Sequence, residues 1–264
     1  MDLLQAVLLG LIQGLTEFLP VSSSGHIELG KALFGIEGEV TLAFTIVVHG
    51  ATVLSTLVVF RKDILGLFRG ALKFEWNNET QYVAKLLVSM IPVAIVGIFF
   101  KDLVEAFFGD GNVAFVGFML LITSFLLFLT YFYKPNKYKT GEVTFVKALV
   151  VGIAQAFAVL PGISRSGSTI ATGLLLGIDK EKITMFSFLM VIIPILGENF
   201  LELIKGYSSF SSNVDTLSLF AGFLSAFLSG LFACKLMIKI VKNSKLIYFA
   251  IYTLIVGVVA ILVA

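Results

Sequence analysis

The amino-acid sequence predicts an all-α integral membrane protein, with six transmembrane helices plus two re-entrant helical hairpins arranged as an inverted-topology repeat. Three observations predict this fold: the composition, two apolar segments that are each broken by a polar motif, and a similarity between the two halves of the chain. Hydrophobic residues make up 58% of the 264 positions and charged residues 14%, whereas soluble domains average about 45–50% and about 25%. This composition excludes an ordinary soluble enzyme, a disordered chain and a nucleic-acid-binding protein.

Six segments are long and apolar enough to cross a bilayer, because a spanning helix needs about 20 apolar residues. They cover residues 40–60, 81–100, 112–133, 183–204, 215–241 and 245–263. Two further apolar segments, 3–19 and 144–160, are each followed by a polar break and then by a short helical segment, at 26–36 and 168–177. Ten helical residues cover roughly 15 Å, about half of the hydrocarbon core. Each pair of segments is therefore predicted to form a re-entrant hairpin whose tip lies inside the membrane.

The two hairpins resemble each other when the first is shifted by 142 positions. The matches pair Gln13 with Gln155, Ser22 with Ser164, Ser24 with Ser166, and Gly25 with Gly167. Chance similarity between apolar segments is the competing explanation, and the matched serines and glycines at both breaks argue against it. We predict a single membrane domain with two repeat halves, residues 1–142 and 143–264. Each half holds one hairpin and three spans, so the second half is inverted, and inverted repeats place binding sites near the midplane.

The positive charges predict the orientation of the chain. Of the 19 lysines and arginines, 15 fall on one side of this topology and three on the other, while Arg165 lies in a hairpin tip. Because lysine and arginine are enriched in cytoplasmic loops, we expect a multi-pass protein of the cell membrane with both termini outside. The first hairpin then enters from outside and the second from the cytoplasm, so that their tips can meet at mid-depth.

The hairpin tips hold the polar residues from which we expect the chemistry. They are Glu17, Ser22, Ser23, Ser24 and His26 in the first hairpin, and Ser164, Arg165, Ser166, Ser168 and Thr169 in the second. The two short helices are expected to begin near Gly25 and Gly167, and helix N-termini bind anions. An arginine adds a planar fork suited to phosphate oxygens. The sequence therefore indicates a phosphate-bearing lipid as ligand, with transport of a free anion as the open alternative.

Each of these residues also has a purely structural explanation. Glu17 and Arg165 could be an ion pair that only holds the hairpins together, and the serines could only satisfy the broken backbone. His26 could be a hydrogen-bonding residue at a helix start. His49, which lies within the span at 40–60, is expected to serve packing or to support the site rather than to catalyse.

Two long motifs carry a family resemblance. Glu-Phe-Leu-Pro-Val-Ser-Ser-Ser-Gly-His at 17–26 and Pro-Gly-Ile-Ser-Arg-Ser-Gly-Ser-Thr at 161–169 resemble the two signatures of the undecaprenyl-diphosphate phosphatase family, the bacitracin-resistance family. The resemblance covers essentially the whole chain. It implies a membrane hydrolase that removes the terminal phosphate from a polyprenyl diphosphate and so recycles the lipid carrier for cell-envelope synthesis.

The type 2 phosphatidic-acid phosphatases, another group of membrane phosphatases, are excluded on their own motif. They place a nucleophilic histidine downstream of a Ser-Arg motif, whereas here Ala171 stands six residues after Arg165. The chain has two histidines, His26 and His49, and both precede that motif.

Carried over by position, the resemblance implies catalytic roles for Glu17, Ser23, His26 and Arg165. It implies substrate binding by the remaining motif residues and the neighbouring amide, namely Gln13, Ser22, Ser24, Gly25, Ser164, Ser166, Gly167 and Thr169. Many family members carry a second glutamate where Gln13 stands, four residues before Glu17 on the same helix face. Gln13 keeps hydrogen bonding but lacks the charge, so Glu17 is the one carboxylate expected to hold a divalent cation, Mg²⁺ or Ca²⁺.

Ser23 is the expected nucleophile, with His26 relaying a proton. Glu17 could orient His26, act as the base or hold a metal ion, and direct attack by His26 or by water remains open. The alternative functions are a lipid-phosphate transporter or flippase that uses the same midplane anion site, and a lipid-binding partner without catalysis. The sequence does not set the prenyl chain length or the oligomeric state, although glycine-rich spans permit close helix packing and leave a homodimer open.

Overall fold

The structure is a computed structural model that describes residues 2–34, 42–100, 103–104, 113–132, 141–205, 215–243 and 245–264. The regular secondary structure within these ranges is helical, apart from one isolated backbone bridge between Gly141 and Ile178. The helices are α1 (Leu3–Phe18), α2 (Ser23–Leu33), α3 (Leu42–Val59), α4 (Arg61–Ala71), α5 (Asn78–Phe99), α6 (Val113–Phe132), α7 (Phe145–Phe157), α8 (Arg165–Leu175), α9 (Lys180–Met190), α10 (Ile192–Lys205), α11 (Thr216–Lys242) and α12 (Ile247–Val263). The predicted all-α class is confirmed.

Several of these helices have the length and composition of membrane spans. Among the described residues, α5, α6, α11 and the consecutive pair α9–α10 over Lys180–Leu201 qualify, which makes four. A fifth results if α3 and α4, which are bent by 77° at their junction, count as one span. The segment predicted to span at 245–263 forms α12, which has 17 residues and is among the shorter apolar helices. The structure therefore has the helices of a multi-pass membrane protein.

Both broken segments fold into two helices joined by a tight turn, but the second helices begin earlier than the periodicity predicts. Helices α2 and α8 start at Ser23 and Arg165 rather than at residues 26 and 168, and before the predicted starts near Gly25 and Gly167. The cause is serine capping: Ser22 Oγ accepts a hydrogen bond from the Gly25 N–H and Ser164 Oγ from the Gly167 N–H. A cap of this kind satisfies an N–H group that the helix itself leaves unpaired. Ser23 and Arg165 are consequently the first helical residues.

The long arm of each hairpin packs against a helix from the other half of the chain. Helix α1 lies along α11, α7 lies along α5, and α6 and α12 pack against each other. Glycine permits the close approach at each crossing, since an added Cβ on Gly10 would collide with the Gly222 carbonyl, and one on Gly152 with the Ser89 carbonyl. The glycine-rich helices are compatible with a homodimer by sequence, but Gly10 and Gly152 contact helices of the same chain.

The α7–α5 crossing gives a stability prediction. Gly152→Ala adds a methyl group where the Ser89 backbone already lies, so we expect a loss of about 1–3 kcal/mol from overpacking. Gly97→Ala in α5 is the matched control, because no neighbouring atom lies within 4 Å of an added Cβ there. The control gains up to about 1 kcal/mol in helix propensity. Denaturant or thermal unfolding in detergent measures both, and equal stability of the two variants would contradict the packing described here.

Candidate active site

Glu17, in the last turn of α1, is the residue on which the polar contacts of the site converge. Its side chain is 8% exposed. Oε2 accepts hydrogen bonds from Gln13 Nε2 at 3.0 Å and from Ser23 Oγ at 2.7 Å. Oε1 faces Arg165 Nη1 at 3.4 Å. A carboxylate from the first hairpin, a hydroxyl at the start of its short helix and a guanidinium from the second hairpin therefore meet in one place.

The first tip reaches this geometry through a strained turn. Ser22 has φ 70°, in the left-handed region that costs a residue with a Cβ about 1–2 kcal/mol. The turn of the second hairpin uses a glycine for its left-handed position, Gly162 at φ 96°. Ser22 is held in place because its Oγ caps the Gly25 N–H and lies 3.3 Å from Ser24 Oγ. This turn reverses the direction of the chain and so brings Ser23 against Glu17.

The second tip is tied to α6 and to the first hairpin. The Ser164 N–H donates to Thr123 Oγ1 at 2.9 Å, and Thr123 Oγ1 lies 3.2 Å from the Gly162 carbonyl oxygen. Ser166 Oγ donates to the Leu19 carbonyl at 3.0 Å. This bond gives a partner to a backbone carbonyl at the end of α1, in the other hairpin. These bonds place Arg165, whose side chain is 31% exposed, against Glu17.

The two tips also touch through glycine. An added Cβ on Gly25 would lie 3.1 Å from Gly162 Cα, and one on Gly167 would lie 3.2 Å from Pro20 Cβ. Both glycine N–H groups are bonded to the capping serines. In this structure the two predicted ligand-binding glycines therefore serve close packing of the tips.

Thr169 takes a structural place as well. It is fully buried. Its Oγ1 donates to the Arg165 carbonyl at 2.8 Å and lies 2.6 Å from Ser187 Oγ. Ser187, rather than Thr169, lines the pocket beside Arg165. The structure thus anchors the start of α8 through Thr169.

His26 lies on α2 apart from the Glu17–Ser23 bond. Its Nδ1 is 2.8 Å from the Ser22 carbonyl oxygen, and its Nε2 is 2.8 Å from the Tyr252 hydroxyl of α12. The two rings are stacked, with centroids 5.6 Å apart and an interplanar angle of 14°. Glu17 therefore does not orient His26 here, and the proton of Ser23 is directed at Glu17 instead. Tyr252 was not predicted, because a tyrosine in an apolar span gives no signal of a partner 226 residues away.

A pocket lies beside the tips, between the hairpins and the helices α3, α9 and α10. Its polar end is formed by Glu17, Arg165 and Ser166. Next to this end lie hydroxyl groups of α3 and α9, from Thr52, Thr56 and Ser187. The rest of the wall is apolar and consists of Phe18, Val53, Phe188, Val191 and Ile195. A charged end and an apolar wall suit an amphiphilic ligand. Thr52 and Thr56 were not predicted, although their four-residue spacing within an apolar segment is a signal that could have indicated this wall.

His49, also on α3, bonds within its own helix, with Nδ1 3.1 Å from the Thr45 carbonyl oxygen.

The described residues contain no cluster of three or more histidine, cysteine, aspartate or glutamate side chains that could hold a metal ion. The side-chain oxygens of Glu17 and Gln13 nevertheless supply part of a ligand set for a divalent cation. Gln13 is fully buried, and its Oε1 has no hydrogen-bond partner, while carboxylate and amide oxygens are ligands that Mg²⁺ and Ca²⁺ accept. Glu17 and Gln13 could therefore hold a divalent cation together with oxygens from a phosphate ligand and water.

Comparison with known proteins gives a consistent result along the whole chain. The model of the family described as bacitracin resistance protein BacA matches residues 6–259. A protein of Bacteroides fragilis named undecaprenyl-diphosphatase is 60% identical over 267 residues, covering 100% of this chain and 99% of the relative. Proteins of the same name from Bacteroides thetaiotaomicron and Christiangramia forsetii are 57% and 54% identical, with 99% and 100% of this chain and 99% of each relative covered.

The contact between α6 and the second tip gives the next prediction. Thr123→Val keeps the shape but leaves the buried Ser164 N–H without its acceptor, which costs about 1–3 kcal/mol. Thr130→Val is the control in the same helix, since that hydroxyl donates only to the Leu127 carbonyl of its own helix. Thermal unfolding in detergent should show a lower Tm for Thr123→Val. The control should change the free energy of unfolding by no more than about 0.5 kcal/mol. A Thr123→Val protein as stable as the control would show that this bond does not hold the tip.

Proposed function

The chain belongs to the family of the bacitracin resistance protein BacA, and from this premise we infer that it is an undecaprenyl-diphosphatase. It is a membrane hydrolase that converts undecaprenyl diphosphate and water into undecaprenyl monophosphate and inorganic phosphate. The observation that carries this conclusion is the identity of 54–60% over the full length to proteins with that name. The reaction recycles the lipid carrier for cell-envelope synthesis, and the family name connects the protein with bacitracin resistance.

We propose that the terminal phosphate of the substrate binds at the junction of the two tips. Arg165 is the partner expected for its oxygens, because the guanidinium is more exposed than the buried Glu17 carboxylate and forms forked bonds with phosphate. The N-terminal turns of α2 and α8 add backbone dipoles that favour an anion. The apolar wall of the pocket would receive the first part of the prenyl chain, and the rest of the chain would stay in the lipid.

In the proposed reaction, Ser23 Oγ attacks the terminal phosphorus. Its proton passes to Glu17 Oε2, to which it is already hydrogen-bonded at 2.7 Å. The new Ser23 O–P bond forms as the bond from phosphorus to the bridging oxygen breaks, and undecaprenyl monophosphate leaves. Water then attacks the phosphorus of the phosphoserine, and the bond from phosphorus to Ser23 Oγ breaks as Glu17 returns its proton to Ser23 Oγ. Inorganic phosphate departs with the hydroxyl group from water, whose other proton goes to solvent. Arg165 stabilises the charge on the transferred group, which is the main demand of phosphoryl transfer.

His26 is proposed to supply a proton to the leaving monophosphate, since it lies one helical turn after Ser23 in α2 and bonds to neither Ser23 nor Glu17. Tyr252 would then be a positioning residue, because its hydroxyl and ring hold the imidazole from the other side.

A divalent cation, Mg²⁺ or Ca²⁺, remains part of the proposal. Glu17 and the unpaired Gln13 Oε1 would be its protein ligands, and a bound cation would neutralise charge on the diphosphate oxygens. With glutamine in place of a second carboxylate, the diphosphate itself must bring much of the negative charge that attracts the ion.

We also propose the finer topology for this chain: six spans and two re-entrant hairpins, two inverted halves over residues 1–142 and 143–264, and both termini outside the plasma membrane. The exchanged packing of α1 on α11 and α7 on α5 supports two equivalent halves. The residues named for the site all lie in one chain, so the chemistry does not require a homodimer. The transporter or flippase alternative finds no support in the relatives' names.

Phosphate release in detergent tests the function, because a transporter has no sidedness to act on there. Purified wild-type protein should release inorganic phosphate from undecaprenyl diphosphate. Glu17→Gln keeps the shape, and its amide oxygen can still accept from Ser23 and Gln13. It loses the bond from Arg165 and cannot accept the proton, so kcat should fall by about 10²–10⁴-fold. Ser23→Ala should abolish both turnover and the phosphoserine intermediate of the wild-type reaction.

Ser229→Ala is the matched control for these variants, since the Ser229 hydroxyl bonds to its own helix, and it should retain full activity. A fully active Ser23→Ala protein would overturn the serine nucleophile but not the phosphatase. A wild-type protein that releases no phosphate with Mg²⁺, with Ca²⁺ or with a chelator would overturn the function.

The proposed positioning of His26 has its own test. Tyr252→Phe removes the hydroxyl while keeping the stacked ring, so kcat should fall about fivefold with KM and Tm nearly unchanged, as expected for one lost hydrogen bond. Tyr248→Phe removes a hydroxyl from the more exposed tyrosine of the same helix and should leave kcat unchanged. If Tyr252→Phe and Tyr248→Phe behave alike, Tyr252 does not position His26.

A further inference from the structure

Helix α4 carries apolar side chains on two faces, and only one of them faces the protein. Ile64 and Leu67 pack against the main core cluster, which includes residues of α1, α5, α9 and α11. Leu65, Phe68 and Leu72 are exposed by 51%, 61% and 53%. At 100° per residue these three side chains project within about 60° of one another. The helix therefore presents an exposed apolar strip beside the buried one, about 100° further around the helix.

The bend before α4 and its attachment to α5 bear on where this strip lies. The helix turns by 77° from the axis of α3, which is apolar enough to form a span with it. Its end is anchored to α5, because Asn77 Nδ2 donates to the Gly70 carbonyl at 2.9 Å and Gly70 packs on Glu79. A charged amphipathic helix that turns sharply at the end of a span has the form of a helix that lies along the membrane surface.

Positive charge lies next to the apolar strip. Lys62, Arg69 and Lys73 are all exposed and project to the same side of it, about 60–100° around the helix. Asp63, the one acidic residue of α4, projects to the far side of these basic residues. Glu75 follows the helix and is exposed as well. Arg61 is exposed too and projects within the strip at the start of the helix. Along residues 61–76 the balance is four basic residues to two acidic residues.

Aromatic residues complete the surface. Phe74 and Trp76 follow α4 and are exposed by 90% and 67%. Trp76 is held by a stacked contact with Phe145, with ring centroids 6.4 Å apart. Tryptophan and other aromatic rings at this level are typical of the boundary between lipid and water.

We propose that α4 and the residues up to Trp76 form a binding surface for anionic phospholipids of the surrounding bilayer. Lys62, Arg69 and Lys73 contact the lipid phosphates, while the strip of Leu65, Phe68 and Leu72 enters the acyl region below them. An anionic surface favours each nearby lysine or arginine by about fivefold in partitioning. The surface uses none of the residues placed in the active site, so it concerns the lipids around the enzyme and not the substrate in the pocket.

Trp76 makes the test direct, because it is the single tryptophan of the chain. The full-length protein is placed in nanodiscs of phosphatidylcholine and phosphatidylglycerol, with either lipid brominated at the same mole fraction. Brominated phosphatidylglycerol should quench Trp76 fluorescence about twofold more than brominated phosphatidylcholine, because charge enriches the anionic lipid near the ring.

The triple variant Lys62→Gln/Arg69→Gln/Lys73→Gln should lose this difference while keeping its Tm and its phosphate release in detergent. Lys235→Gln/Lys239→Gln/Lys245→Gln removes the same charge from another segment and should keep the difference. Equal quenching by the two lipids in the wild type, or an unchanged difference in the first triple variant, would overturn the proposal. Absence of quenching by both lipids would also overturn it, since a protein partner or water would then cover this surface.

Discussion

The meeting of two broken helices is the constraint on which the rest of the structure depends. Broken backbone and charged side chains inside a bilayer are costly unless protein groups satisfy them. Each hairpin tip supplies what the other lacks: Ser166 donates to the Leu19 carbonyl, and Arg165 faces Glu17. The long arms reach this meeting point because each packs along a helix of the other half. The same contacts therefore stabilise the fold and assemble the site.

The Glu17–Arg165 pair explains how one set of residues can hold the tips and still react. The bond is long at 3.4 Å, and the arginine is the more exposed partner, so an incoming phosphate can compete for the guanidinium while Glu17 stays in place. The short bonds of Glu17 go to Ser23 and Gln13 on its own hairpin. A structural ion pair and a reactive site are thus compatible explanations of the same two charges.

The sequence predicted the hairpins and the residues that converge, because prolines, glycines and serines interrupt the apolar pattern at both breaks. It placed the short helices three residues late, since a serine cap depends on a side-chain bond that periodicity does not record. Contacts between distant segments could not be predicted. Thr123 bonds to Ser164 41 positions away, and Tyr252 reaches His26 across 226 positions. Both lie in helices whose other residues are mostly apolar, where one hydroxyl gives no signal of its partner.

A cysteine cross-link tests most directly whether the two tips meet. In a Cys234→Ala background, Pro20→Cys and Gly167→Cys would place their Cβ atoms about as close as a disulfide allows, since an added Cβ on Gly167 lies 3.2 Å from Pro20 Cβ. The structure predicts near-complete cross-linking on mild oxidation, read as loss of maleimide-reactive thiols, and none for the pair Pro20→Cys and Gly97→Cys. Two freely reactive thiols at positions 20 and 167 under the same conditions would contradict the account.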